Sequence, residues 1–99
     1  MPINNNKYSF KEINLVYAPD HSGVYALWDG SELIYYGKSE DSVRDRLSQH
    51  LNGHDGYCTK NASHFQTETS YNPSSREREL LNEYRYQYGR LPRCNDVMP

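Results

Sequence analysis

The stretch Gly23–Lys38, "GVYALWDGSELIYYGK", decides the fold. Val24, Ala26 and Trp28 alternate with Tyr25 and Leu27; Ile34 and Tyr36 then alternate with Leu33 and Tyr35. A period of two marks strands, and Asp29-Gly30 between them marks a hairpin. With Asp29, Gly30 and Ser31 as the loop, Trp28 faces Glu32 and Tyr25 faces Tyr35. Tyr25, Leu27, Leu33 and Tyr35 then share one face, and Val24, Ala26, Ile34 and Tyr36 the other. A two-residue loop would slip this pairing. Phenols at cross-strand distance are a chemical resource, although aromatic residues also favour strands for packing alone.

Downstream, "SEDSVRDRLSQHLNG" reads as a helix. Ser39 or Asp41 can cap it, Val43, Leu47 and Leu51 form its apolar stripe, and Gly53 suits its end. Arg46 and His50 are one turn apart beside that stripe, placed to reach a shared anionic group, whereas Arg44 falls on the opposite edge. After a polar loop, "HDGYCTKN", the segment "ASHFQTET" is a third strand. "NPSSRERELLNEYRYQYG" is a second, longer helix, starting near Asn72 or Ser74 and ending at Gly89. At about 100° per residue, Glu77 falls among Leu80, Leu81, Tyr84 and Tyr88 on the apolar face, while Glu79 and Glu83 point away. A carboxylate on a core-facing stripe demands a metal or a cation, such as Arg46 in a salt bridge.

The chain has 99 residues, enough for one domain with one modest core. Only 35% of it is hydrophobic, and ten tyrosines make up much of that share. Residues 1–22 read as an extended lead-in pinned by Phe10, Ile13 and Leu15, and residues 23–99 as the domain proper. The order β-β-α-β-α favours an α/β (α+β) fold: a three-stranded antiparallel or mixed sheet flanked by helices. No run reaches membrane-spanning length and the start lacks the apolar centre of a signal peptide, so the expected location is cytoplasmic. Cys58 and Cys94 are too few for a disulfide framework and are expected as thiols there. The net charge of -2, with acidic and basic residues interleaved, excludes a strongly cationic surface and leaves room for modest nucleic-acid affinity.

"GVY" at 23–25, "YYG" at 35–37, "RLSQH" at 46–50, "ERELL" at 77–81 and "PRCN" at 92–95 together resemble the GIY-YIG nuclease superfamily. The resemblance runs in order from Gly23 to Asn95. It implies a metal-dependent endonuclease acting on DNA phosphodiesters. Tyr25 and Tyr35 match the signature tyrosines, with Gly23 and Gly37 as their glycines. Lys38 matches a lysine found after the second motif in some members, Arg46 the catalytic arginine, and His50 the His or Tyr one turn later. Glu77 matches the metal-binding glutamate and Asn95 the closing asparagine. Tyr36 stands where isoleucine is usual. Counting back from Pro92 selects Glu83 instead of Glu77; the inward face of the helix favours Glu77.

The resemblance implies Mg²⁺ on Glu77, with Mn²⁺ as a substitute, and DNA held through its phosphates. Tyr25 would accept water's proton, its phenol pKa lowered by Lys38, Arg46 and the cation. Tyr35 and His50 would orient water and phosphate, and Arg46 would offset developing charge. Two rivals stand beside this reading. One is a non-cleaving nucleic-acid-binding module on the same fold. The other is a zinc site drawn from His50, His54, Cys58, His64 and Cys94. Monomer, homodimer and part of a larger assembly all remain open.

Overall fold

The computed structural model describes residues 1–95, so the last four residues of the domain expected at 23–99 lie outside it. Four strands form one antiparallel sheet in the order β1-β4-β2-β3. They are β1 (Tyr8–Ser9), β2 (Gly23–Asp29), β3 (Glu32–Ser39) and β4 (His64–Thr69). Helix α1 (Val43–Leu51) and the short α2 (Tyr57–Lys60) lie between β3 and β4, and α3 (Pro73–Tyr88) follows β4. The expected three strands are therefore four. The fourth comes from the lead-in: Tyr8 pairs with Phe65 and Ser9 with His64, giving β4 a second partner. A 3-10 helix, Glu12–Tyr17, then buries Leu15. Phe10 is buried as expected, whereas Ile13 is 79% exposed and pins nothing.

The sheet separates two cores. On one face Tyr25, Leu27, Ile34, Val43, Leu47 and Phe65 pack under α1. On the other, Val24, Ala26, Tyr36, Leu80 and Leu81 pack under α3. Each buried aliphatic side chain is worth about 1.5–3 kcal/mol, so the period-two pattern holds the sheet between its helices.

The hairpin differs from expectation in register. Asp29 pairs with Glu32, leaving Gly30-Ser31 as a two-residue turn in which Gly30 has φ +61°. Trp28 pairs with Leu33 but Leu27 with Tyr35, so Ile34 is an extra residue, a bulge. The bulge exchanges two side chains between the faces: Ile34 joins the Tyr25 core, and Leu33 packs with the α3 core. Tyr25 thus pairs with Gly37, not Tyr35. Both phenols still reach the same face, as diagonal neighbours with ring centroids 6.1 Å apart.

Helix α1 is capped later than either expected residue, one position after Asp41 and three after Ser39, by Ser42, whose side chain accepts from the Asp45 N–H. Ser39 instead accepts from the N–H groups of Asp41 and Ser42, turning the chain out of β3. Helix α3 carries Pro73 in its first turn and ends at Gly89 in the left-handed region, φ +74°. No helix among the described residues is long and apolar enough to cross a membrane.

Candidate active site

Two glycines make the site possible. At Gly37 a Cβ would run into the Tyr25 ring and hydroxyl, so the phenol lies across a strand position that must carry no side chain. At Gly23 a Cβ would meet the Glu68 carbonyl of β4. Both signature glycines are thus close-approach positions rather than turn positions.

Tyr25, from the central strand β2, and His50, from the last turn of α1, are both fully buried. The Tyr25 hydroxyl lies 2.6 Å from His50 Nε2. Tyr35 completes an aromatic triangle, edge-on to His50 at 5.3 Å. On its other side His50 Nδ1 lies 3.0 Å from the hydroxyl of buried Thr59 and 3.3 Å from Asp55 Oδ2. The same Asp55 oxygen accepts from Arg46 Nη1 at 2.5 Å, and Arg46 also donates to Gln49 Oε1 at 2.9 Å. Arg46 and His50 therefore do converge on an anionic group, one supplied by the chain itself.

Asp55 escaped the sequence reading because it sits in the polar loop, where no periodicity singles it out. Its only signal is the pair of flanking glycines. Gly53 and Gly56 take φ +82° and +91°, turning the loop back over the end of α1. The short helix α2, equally unforeseen, then delivers Thr59 to His50.

Glu77 is only 8% exposed, as its place on the stripe implied. It makes no hydrogen bond or ion pair among the described residues, so the alternative to a metal, a salt bridge to Arg46, does not form. Burial raises its pKa, against the opposing pull of Lys38 and Arg78. Glu83 lies on the far side and pairs with the N-terminal amine at 2.5 Å. Lys38 makes a 3.0 Å ion pair with Glu40, which also accepts from Ser74.

The electrostatics overturn one expectation. Burial pushes the Tyr25 phenol well above 10, and Tyr35, Asp55 and Glu77 add to that effect; only Arg46 opposes it. Tyr35 is raised too, again chiefly by burial. A buried phenolate has lost its water, and one nearby guanidinium does not replace it. Burial, with help from Arg46, lowers His50 to about 4, so its imidazole is neutral at pH 7.

Asn95 does not reach the reacting groups. Its side chain accepts from Tyr36 N at 3.0 Å and donates to Tyr36 O at 2.9 Å, clipping the last described segment onto β3. Beside it Cys94 is bonded to Cys58 in a disulfide, contrary to the expected free thiols. The sheet and α2 bring the two together across a sequence separation of 36, which no local pattern reveals. The zinc alternative fails for the same reason. Cys58 and Cys94 are consumed, His50 is committed to Tyr25 and Thr59, and no cluster of three His, Cys, Asp or Glu that could hold a metal occurs among the described residues. A single inward carboxylate remains. That suits Mg²⁺, which keeps several waters and takes one or two carboxylates plus phosphate oxygens.

A family model described as the GIY-YIG catalytic domain matches residues 21–88. Among solved structures, the chain is similar to the GIY-YIG N-terminal endonuclease domain of UvrC from Thermotoga maritima bound to its catalytic divalent cation, magnesium. The TM-score is 0.61 at 22% identity, covering 85% of this chain and 93% of that one. An asparagine-to-alanine mutant of that domain, also bound to its catalytic divalent cation, gives a TM-score of 0.62 at 20% identity, covering 86% and 93%. No curated protein matches the chain. At these identities the structural likeness is one of fold.

Proposed function

The chain belongs to the GIY-YIG family, and on that premise we propose that it is a divalent-metal-dependent endonuclease hydrolysing DNA phosphodiester bonds. One observation carries the reading: Glu77 is 8% exposed, and its carboxylate, with no protein partner among the described residues, keeps its oxygens open to solvent, close enough to Tyr25 and Tyr35 to raise both phenols. Burial has stripped part of the water from this carboxylate, and a cation bound at its open side offsets that loss. Mg²⁺ or Mn²⁺ held by Glu77 would supply Lewis-acid stabilisation of charge on the phosphate and leaving oxygens.

The chain's own groups divide the remaining work. Tyr25 takes the proton of the attacking water while its own proton passes to His50 Nε2, 2.6 Å away. This concerted path needs no free phenolate, which burial forbids. Tyr35 orients water and phosphate from the same face. Arg46, released from Asp55, faces the developing phosphorane charge, and Lys38 at the mouth of the site adds a second cation. Asn95 holds β3 in place through Tyr36. DNA is held through its phosphates.

The test is cleavage of single-stranded, duplex, nicked and branched DNA with Mg²⁺, and again after EDTA. Mg²⁺-dependent nicking of at least one form is expected. Binding without cleavage of any form would instead support the non-cutting module.

A further inference from the structure

We propose that Asp55, in the loop after α1, is a positioning residue that sets the tautomer of His50 and holds Arg46 in readiness for phosphate. The inference rests on the nuclease reading for its consequence, but its geometry is independent of it. One carboxylate oxygen lies 2.5 Å from Arg46 Nη1 and 3.3 Å from His50 Nδ1. Two side chains from successive turns of α1 are tied to one point.

The chemistry of the donors then settles the proton. The Arg46 hydrogen bond holds Asp55 below the usual carboxylate range, so it is ionised and can only accept. His50 is neutral at pH 7 and carries one ring proton. Nδ1 makes its hydrogen bond to the Thr59 hydroxyl and lies 3.3 Å from the ionised Asp55 oxygen, whose negative charge favours the proton on that nitrogen. The Thr59 hydroxyl can donate or accept and so follows this choice instead of dictating it. Nε2 is left with its lone pair toward Tyr25, and the phenol O–H donates to it.

The groups around His50 are consistent with that assignment: Tyr25 from β2, Tyr35 from β3, Arg46 from α1, and Asp55 and Thr59 from the loop and α2. In the reaction, one water O–H bond breaks and its proton goes to the Tyr25 oxygen. The Tyr25 proton goes to Nε2, the water oxygen bonds to phosphorus as the P–O bond to the leaving sugar oxygen breaks, and that oxygen takes a proton from solvent. The imidazolium formed has an N–H on each side, and Asp55 stabilises it. In the resting state the same carboxylate, with Gln49, holds Arg46 until a phosphate replaces it.

The experiment pairs ¹⁵N NMR of the His50 ring with plasmid cleavage, using wild type, Asp55→Asn and Thr59→Val. Wild type and Thr59→Val should show Nδ1 protonated and Nε2 bare at neutral pH, and Asp55→Asn should lose that preference. On supercoiled plasmid with Mg²⁺, Asp55→Asn should lose roughly 10²-fold in kcat, less than the ~10⁴ seen for a buried in-line carboxylate behind a catalytic histidine. Its acid limb should also move to lower pH, because Asp55 raises the His50 pKa. A plateau loss with no movement of that limb, or an unchanged tautomer in Asp55→Asn, would overturn the proposal. If no DNA is cut by wild type, the nuclease reading falls, while the tautomer of His50 still decides the role of Asp55.

Discussion

The Tyr25 hydroxyl and His50 Nε2 are 2.6 Å apart, and both side chains are buried. Strand β2 and helix α1 meet there, so the pair serves the fold and the proposed chemistry together. Tyr25→Phe separates these roles. Cleavage should fall by about 10²- to 10⁴-fold. Stability should drop as well, by about 1–3 kcal/mol, because a buried imidazole nitrogen loses its partner. Plasmid nicking rates and thermal melting check both; wild-type cleavage by the variant would return the tyrosine to a packing role.

Glu77→Gln should abolish Mg²⁺-dependent cleavage, and Glu83→Gln should leave it intact. The stability effect has a definite sign. Burial raises the folded pKa of Glu77, so wild type loses stability as pH climbs from the unfolded value through the folded one. The neutral glutamine avoids that loss, and the metal-free variant should melt higher than metal-free wild type at pH 7. Mg²⁺ should raise the melting temperature of wild type and of Glu83→Gln but not of Glu77→Gln. Inactivity of Glu83→Gln with full activity of Glu77→Gln would transfer the metal to the other carboxylate.

The pH dependence of folding should report His50. Its folded pKa is about 4 against an ordinary 6.5, so the unfolded chain binds more protons between those values. Stability from this group is complete above pH 6.5 and is lost as pH falls towards 4, by up to about 3 kcal/mol at 1.4 kcal/mol per unit. Denaturant melts across that range should show the loss in wild type and a shallower slope in His50→Gln.

Gly37→Ala tests the close approach of strand and ring. The added methyl meets the Tyr25 ring, which is packed on all sides and has no room to swing away. A cost of about 1–3 kcal/mol is expected from overpacking, with a fall in cleavage as the phenol moves off His50. Unchanged melting would mean that the strands part easily at this point.

Reduction should loosen the site from outside. The Cys58–Cys94 bond closes a loop of 36 residues, and chain entropy alone puts its removal at about 4 kcal/mol. Cys94→Ser or a thiol reductant should lower the melting temperature. Cleavage should fall less than in Tyr25→Phe, since neither cysteine side chain hydrogen-bonds to Tyr25 or His50. Equal melting with and without reductant would show that the closure adds little.

Local pattern alone determined much of this protein. Alternation in Gly23–Lys38 specified the hairpin, the stripe through Val43 and Leu47 specified α1, and the turn of α3 placed Glu77 inward, because each depends only on neighbours a few residues away. The motif residues were legible through the family resemblance, and the face of α3 decided between Glu77 and Glu83. The tertiary structure alone decided the rest. The bulge at Ile34 followed from the fit of the two faces to their separate cores, and β1 from the open edge of β4. The direction of the Tyr25 pKa was set by burial, a property of everything packed around the ring, and it reversed what charged neighbours in the sequence suggested. Asp55 and the Cys58–Cys94 bond were invisible for a related reason. Contacts made across a returning loop, or between segments far apart in the chain, carry no periodic signal and exist only once the sheet has brought their partners together.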